Sequence, residues 1–87
     1  MYQVRYNIDL IKVLKYIPTK DQLKLKSFLQ SLHNIKDPFI HAKKLKGANT
    51  LYRYRIGHYR ILCDISNCKL TILVIDIAHR KDVYKNL

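Results

Sequence analysis

The sequence predicts an α+β fold: a small single domain in the order β-α-α-β-β-β with a final helical turn, its two-helix hairpin packed on one face of a mainly antiparallel sheet. Three observations carry that expectation. Apolar residues between 9 and 36 recur every three or four positions. Those between 51 and 78 alternate or run together as β-branched and aromatic stretches. Two short turn-forming pairs, Gly57-His58 and Asn67-Cys68, divide this second region into three strands. The 87 residues are 48% hydrophobic and hold only two glycines and two prolines, which is enough apolar material for one core over 1–87 and too little punctuation for a linker.

Taken in order, residues 2–7 alternate and suit a first strand. From Asp9 onward, Leu10, Leu14 and Ile17 share one face of a short helix that Pro18 ends or bends. Thr19 and Gln22 have the spacing of a capping box, and Leu25, Phe28, Leu29 and Leu32 repeat at i, i+3, i+4 and i+7. A second helix is therefore predicted from about 20 to 36, with Lys20, Lys24, Lys26 and Gln30 on its solvated face. Asp37-Pro38 closes the helix pair. The basic connector 41–49, HAKKLKGAN, leads into strands over 51–56, 59–66 and 69 to about 78. Glycine at the first position of Gly57-His58 fits a type II′ hairpin. The last run, KLTILVIDIA, is apolar on both faces and belongs inside the sheet.

Charge is the strongest compositional signal. Against 17 Lys+Arg stand 6 Asp+Glu, all of them aspartate, for a net charge of +11. Between Asp37 and Asp64 the chain carries Lys43, Lys44, Lys46, Arg53, Arg55 and Arg60 with no acid, a segregation that points to a polyanionic partner. Cys63 and Cys68 have neither metal-site nor disulfide-framework spacing; Cys63 reads as a core residue and Cys68 as part of a turn. The start of the chain lacks signal-peptide order, and no apolar run approaches the ~18 residues that span a bilayer, which predicts a cytoplasmic protein with no membrane partner.

The hairpin turns sequence into geometry. A loop at Gly57-His58 pairs Ile56 with Tyr59, Arg55 with Arg60, Tyr54 with Ile61 and Arg53 with Leu62. Alternation then puts Arg53, Arg55 and Arg60 on one face, and Tyr52, Tyr54, Ile56, Tyr59, Ile61, Cys63 and Ile65 on the face the helices cover. Like charges directly opposed weaken a strand pair, so folding alone would not select Arg55 opposite Arg60. A two-residue turn at Asn67-Cys68 extends the register to Cys63 opposite Ile72 and Ile61 opposite Val74. The tail then brings His79, Arg80 and Tyr84 to the same end of the sheet as the arginines. That set suits phosphodiester chemistry on RNA: guanidinium groups grip phosphate oxygens and stabilise a pentacoordinate transition state, while the substrate's own 2′-hydroxyl attacks. His79 or Tyr84 would take its proton. The scattered aspartates do not form the carboxylate cluster of a metal-dependent nuclease, so no metal and no other cofactor is expected.

The segments LKG at 45–47, LYRYRIGHYRILCDI at 51–65 and ILVIDIAHRKDVY at 72–84 resemble the RelE branch of the RelE/ParE superfamily of toxins. The resemblance implies a toxin that cleaves mRNA in the ribosomal A site and stops translation. It places two functionally important basic residues at Arg53 and Arg55, a phosphate-holding arginine at Arg60, a general acid or transition-state clamp at Arg80, and a base-stacking or proton-accepting tyrosine at Tyr84. The family's usual lysines are arginines here, and arginine does not act as a base, which directs the base role to Tyr84 or His79. Lys43, Lys44 and Lys46 would add affinity for ribosomal RNA. A cognate antitoxin is implied as partner, with specific DNA binding left to that antitoxin rather than to the toxin. Two other functions fit the same chain: a ParE-like gyrase inhibitor, and a catalytically silent RNA-binding relative.

Overall fold

In the computed structural model, which describes residues 2–47 and 49–79, the chain begins with strand β1 (Gln3–Tyr6) and turns into helix α1 (Leu10–Lys15). Asp9 is the N-cap of α1, its carboxylate accepting from the Lys12 amide at 3.2 Å, which satisfies one of the free donors of the first turn. Helix α2 (Thr19–Ser31) follows and ends in a 3₁₀ turn (Leu32–Asn34), so it stops short of residue 36. Strands β2 (Lys43–Lys44), β3 (Leu51–Ile56), β4 (Tyr59–Ser66) and β5 (Thr71–His79) complete the described chain. Among the described residues, no helix is long and apolar enough to cross a membrane.

The strands form one sheet in the order β1-β5-β4-β3-β2, parallel between β1 and β5 and antiparallel elsewhere. The expected α+β class, the helix pair and the interior position of the last strand are all present. β5 has a neighbour on both edges, as its two apolar faces require. The basic connector adds a fifth strand that its composition hides: Lys43 pairs with Arg53 and Lys44 with Tyr52.

The helices cover one face of this sheet. Leu14 and Ile17 from the α1 segment, together with Leu25, Leu29 and Leu32 from the α2 segment, meet Tyr54, Ile61, Cys63, Ile65, Ile72 and Val74 in a buried cluster. Tyr54 is its largest fully buried side chain; the ring lies 4.7 Å from that of Phe28 and its hydroxyl donates to the Pro38 carbonyl. Burial is the leading cause that pushes the Tyr54 phenol up, with the Cys63 thiol adding to it.

Three local expectations are corrected. The predicted capping box is not formed. Pro18 is the N-cap, Thr19 is already helical, and the Gln22 amide reaches back to the Ile17 carbonyl at 2.8 Å. The second turn holds four residues, since Ser66 pairs with Thr71. A two-residue primed turn needs at least one residue that tolerates positive φ in its centre, and here it is Leu70, at φ 50°, that turns the chain. As a result Ile65 lies opposite Ile72, and Cys63 lies opposite Val74 rather than Ile72.

The third correction is a β-bulge. The ladder between β4 and β5 slips between Leu62 and Cys63, whose partners are Asp76 and Val74, so Ile75 is the extra residue and Ile61 pairs with Ile77. A regular ladder would have continued the inward series Ile72, Val74 to Asp76 and driven an unpaired carboxylate into the core. The bulge switches the parity of β5, leaving Asp76 exposed and Ile77 buried.

Two predictions arise here. Gly57 has φ 60° at the first position of the hairpin loop, and an added Cβ would meet no atom within 4 Å, so the cost of Gly57→Ala is conformational. The variant is expected to lose about 1–2 kcal/mol, read as a lower urea midpoint at unchanged slope. Burial also pushes the Cys63 thiol up from 9.0 to about 12, whereas Cys68 is exposed. At pH 8 the folded protein should therefore alkylate at Cys68 alone, and at both cysteines after unfolding. Rapid native labelling of Cys63 would contradict this burial.

Candidate nucleic-acid interface

The first hairpin has the predicted register, with Arg53 opposite Leu62, Arg55 opposite Arg60 and Ile56 opposite Tyr59. Arg53, Arg55 and Arg60 therefore share the sheet face away from the helices. They differ in exposure. Arg55 is exposed, Arg53 is half-buried, and Arg60 is only 5% exposed. Arg60 is thus not the bare surface side chain that alternation alone suggests. A guanidinium held in so enclosed a place is fixed in position, and its field is screened less by water than that of Arg55.

Following the pairings across the strands gives two rows on this face. Lys43, Arg53, Leu62 and Asp76 make one; Arg55, Arg60 and Ala78 make the next. Lys43 joins the arginines, while its neighbour Lys44 falls on the opposite parity with Tyr52, and Lys46 lies exposed in the following loop. The three connector lysines therefore do not act as one patch. Asp76 is an acid on the arginine face that sequence reading overlooked. Its signal was available, because Asp76 has the parity of Ile72 and Val74 and could not follow them inward.

His79 reaches the expected end of the sheet, paired with Tyr59 beside the Gly57-His58 loop. It does not share the arginine face. The bulge gives it the parity of Ile77, and its ring contacts Tyr59 edge-on at 5.3 Å and stacks with His58 at 6.3 Å. Arg80 and Tyr84 lie outside the described residues. The described part of the site is a cationic platform of three arginines and a lysine with one carboxylate beside it, in which Arg60 is the enclosed member and Arg55 and Lys43 are exposed, a set suited to holding a phosphodiester.

Comparison with known proteins agrees with this architecture. A family model described as the ParE toxin of the type II toxin-antitoxin system parDE matches residues 2–84, which defines the class as a small toxin of such a system. The RelE3 toxin of Methanocaldococcus jannaschii is 31% identical over 77 residues, covering 85% of each chain. The RelB-RelE antitoxin-toxin complex of Methanococcus jannaschii superposes with a TM-score of 0.77 at 26% identity, over 95% of this chain and 98% of that one. The isolated Escherichia coli RelE toxin, at 22% identity, shares the fold with a TM-score of 0.71 over 99% of this chain and 94% of its own. The chain belongs to the RelE/ParE superfamily of type II toxins, as a RelE-type member.

Proposed function

We propose that this toxin is a metal-independent endoribonuclease that cuts mRNA in the A site of the translating ribosome and so inhibits translation. The observation that carries this reading is the gathering of Arg53, Arg55 and Arg60 on one sheet face by a hairpin whose opposed arginines weaken the strand pair. In the reaction, the 2′-oxygen of the message attacks the adjacent phosphorus and the bond to the 5′-oxygen breaks, leaving a 2′,3′-cyclic phosphate and a free 5′-hydroxyl. Arg60 holds the scissile phosphate and, with Arg53 and Arg55, neutralises charge as it grows on the equatorial oxygens. Arg80 protonates or steadies the leaving oxygen. Tyr84, as its phenolate, accepts the 2′-proton and becomes the phenol. His79 is the alternative acceptor, one that its placement with Tyr59 and His58 disfavours. Lys43, Lys44 and Lys46 add salt-dependent affinity for ribosomal RNA.

The protein acts in the cytoplasm and is held inactive by a cognate antitoxin, as the solved RelB-RelE complexes suggest. An acidic, amphipathic antitoxin segment suits the net charge of +11 and the groove lined by Leu10, Ile11, Leu14, Lys15, Gln22 and Lys26. Specific DNA binding belongs to that partner.

The test adds the purified toxin to translating ribosomes, maps the 5′ ends of the message, and runs gyrase supercoiling in parallel. Cleavage within the A-site codon with unaffected gyrase is expected. Gyrase inhibition without cleavage would install the ParE-like reading, and ribosome binding without cleavage the silent RNA-binding one. In the same assay Tyr84→Phe is expected to lose about 100-fold in cleavage rate; wild-type cleavage by that variant would remove Tyr84 from the reaction.

A further inference from the structure

The open face of the sheet continues past the arginines into a second polar site. Along β4, alternate residues Arg60, Leu62, Asp64 and Ser66 point to this face, so Asp64 lies about 13 Å from Arg60. There a cleft of about 380 Å3 is lined by Arg5, Asp64, Ser66, Lys69, Thr71 and Leu73. Three strands and a loop build it. Arg5 pairs with Leu73 and Leu73 with Asp64, which sets a cation and a carboxylate on either side of an apolar floor.

Two local hydrogen bonds shape the backbone of the rim. The Lys69 amide donates to the Ser66 hydroxyl at 3.2 Å, and the Thr71 hydroxyl donates to the Lys69 carbonyl at 3.0 Å. Leu70, the residue after Lys69, holds a left-handed φ of 50°, a conformation that costs a leucine about 1–2 kcal/mol.

We propose that this cleft is a ribonucleotide subsite, occupied by a nucleotide of the message flanking the one held at the arginines. The assignment rests on the nuclease reading for its place on the message, but its chemistry is local. Arg5 and Lys69 hold the phosphate, Leu73 lies beneath the ribose or base, and the Asp64 carboxylate accepts from the ribose 2′-hydroxyl. A bare phosphate would be repelled by Asp64; a ribonucleotide uses all three groups. The mixed lining thus selects a nucleotide over an inorganic anion, and RNA over DNA.

The experiment titrates isotopically labelled, full-length protein with cytidine 5′-monophosphate, its 2′-deoxy counterpart and inorganic phosphate, following the amide resonances of Ser66, Lys69, Thr71 and Leu73. The ribonucleotide is expected to shift these resonances and to bind roughly 5-fold more tightly than the deoxynucleotide. Asp64→Ala should erase that difference. Arg5→Ala with Lys69→Ala should weaken binding at least about 10-fold, whereas Lys20→Ala with Lys24→Ala, an equal charge loss on the solvated face of α2, should leave it nearly unchanged. Silent cleft resonances, phosphate binding as tightly as the ribonucleotide, or equal ribose and deoxyribose affinities would each overturn the subsite. Message cleavage with a silent cleft overturns the subsite and leaves the nuclease standing. Ribonucleotide binding in the cleft without cleavage on ribosomes supports the subsite and removes the nuclease.

Discussion

Arg60→Ala is expected to lower message cleavage on translating ribosomes at least about 100-fold, the cost typical of removing one fixed donor from a developing oxyanion. The magnitude follows from its setting. Arg60 is 5% exposed, whereas Arg55 directly across the hairpin is exposed, so the two guanidinium groups present unequal fields to a bound phosphate. Arg55→Ala should therefore cost less, about 10-fold, because water screens and partly replaces an exposed cation. Arg60→Lys keeps the charge but not the planar fork, and should recover only part of the loss. Because Arg60 is buried, circular dichroism and a urea titration must accompany the rate. A folded Arg60→Ala protein that cleaves like the wild type would dismiss Arg60 from phosphate binding.

Tyr54→Ala is expected to have the largest effect on stability, about 3–5 kcal/mol, which is a large share of the ~5–15 kcal/mol that holds a domain together. Tyr54 fills the centre of the core against Phe28, and it ties the sheet to the loop after the helices through its bond to the Pro38 carbonyl. Tyr54→Phe separates these contributions. It keeps the ring contact and strands the buried carbonyl, and should cost only about 1–2 kcal/mol. Equal losses for the two variants in urea unfolding would mean that the hydroxyl bond, not the packed ring, dominates.

The parts of the fold that sequence made legible are those fixed by short-range rules. Gly57 with a two-residue loop leaves one possible pairing, and strand alternation then distributes the arginines and tyrosines between faces. The i, i+3, i+4 series of α2 likewise names its own buried side. What stayed hidden depends on distant or weak preferences. Two lysines carry no strand signature, and Lys43–Lys44 joins the sheet only because β3 offers an edge. A run such as TILVIDIA reads as apolar in either parity, which masked the bulge at Ile75, and only Asp76 within it betrayed the switch. That same hidden switch set the face of His79. Alternation could place Arg60 on a face but could not say how enclosed it would be.

The parallel pairing of β1 with β5 has a consequence for when the molecule becomes dangerous. Gln3 and Tyr6, made first, find their partners Thr71 and Val74 only after nearly all of the described chain has been synthesised. Pairings this distant in sequence form late and cooperatively. A nascent chain cut off before β5 cannot complete its sheet, and leaves β4, which carries Arg60, without the neighbour that pairs along its edge. A truncated product of an interrupted synthesis would thus lack the assembled platform, which forms only once β5 has been made.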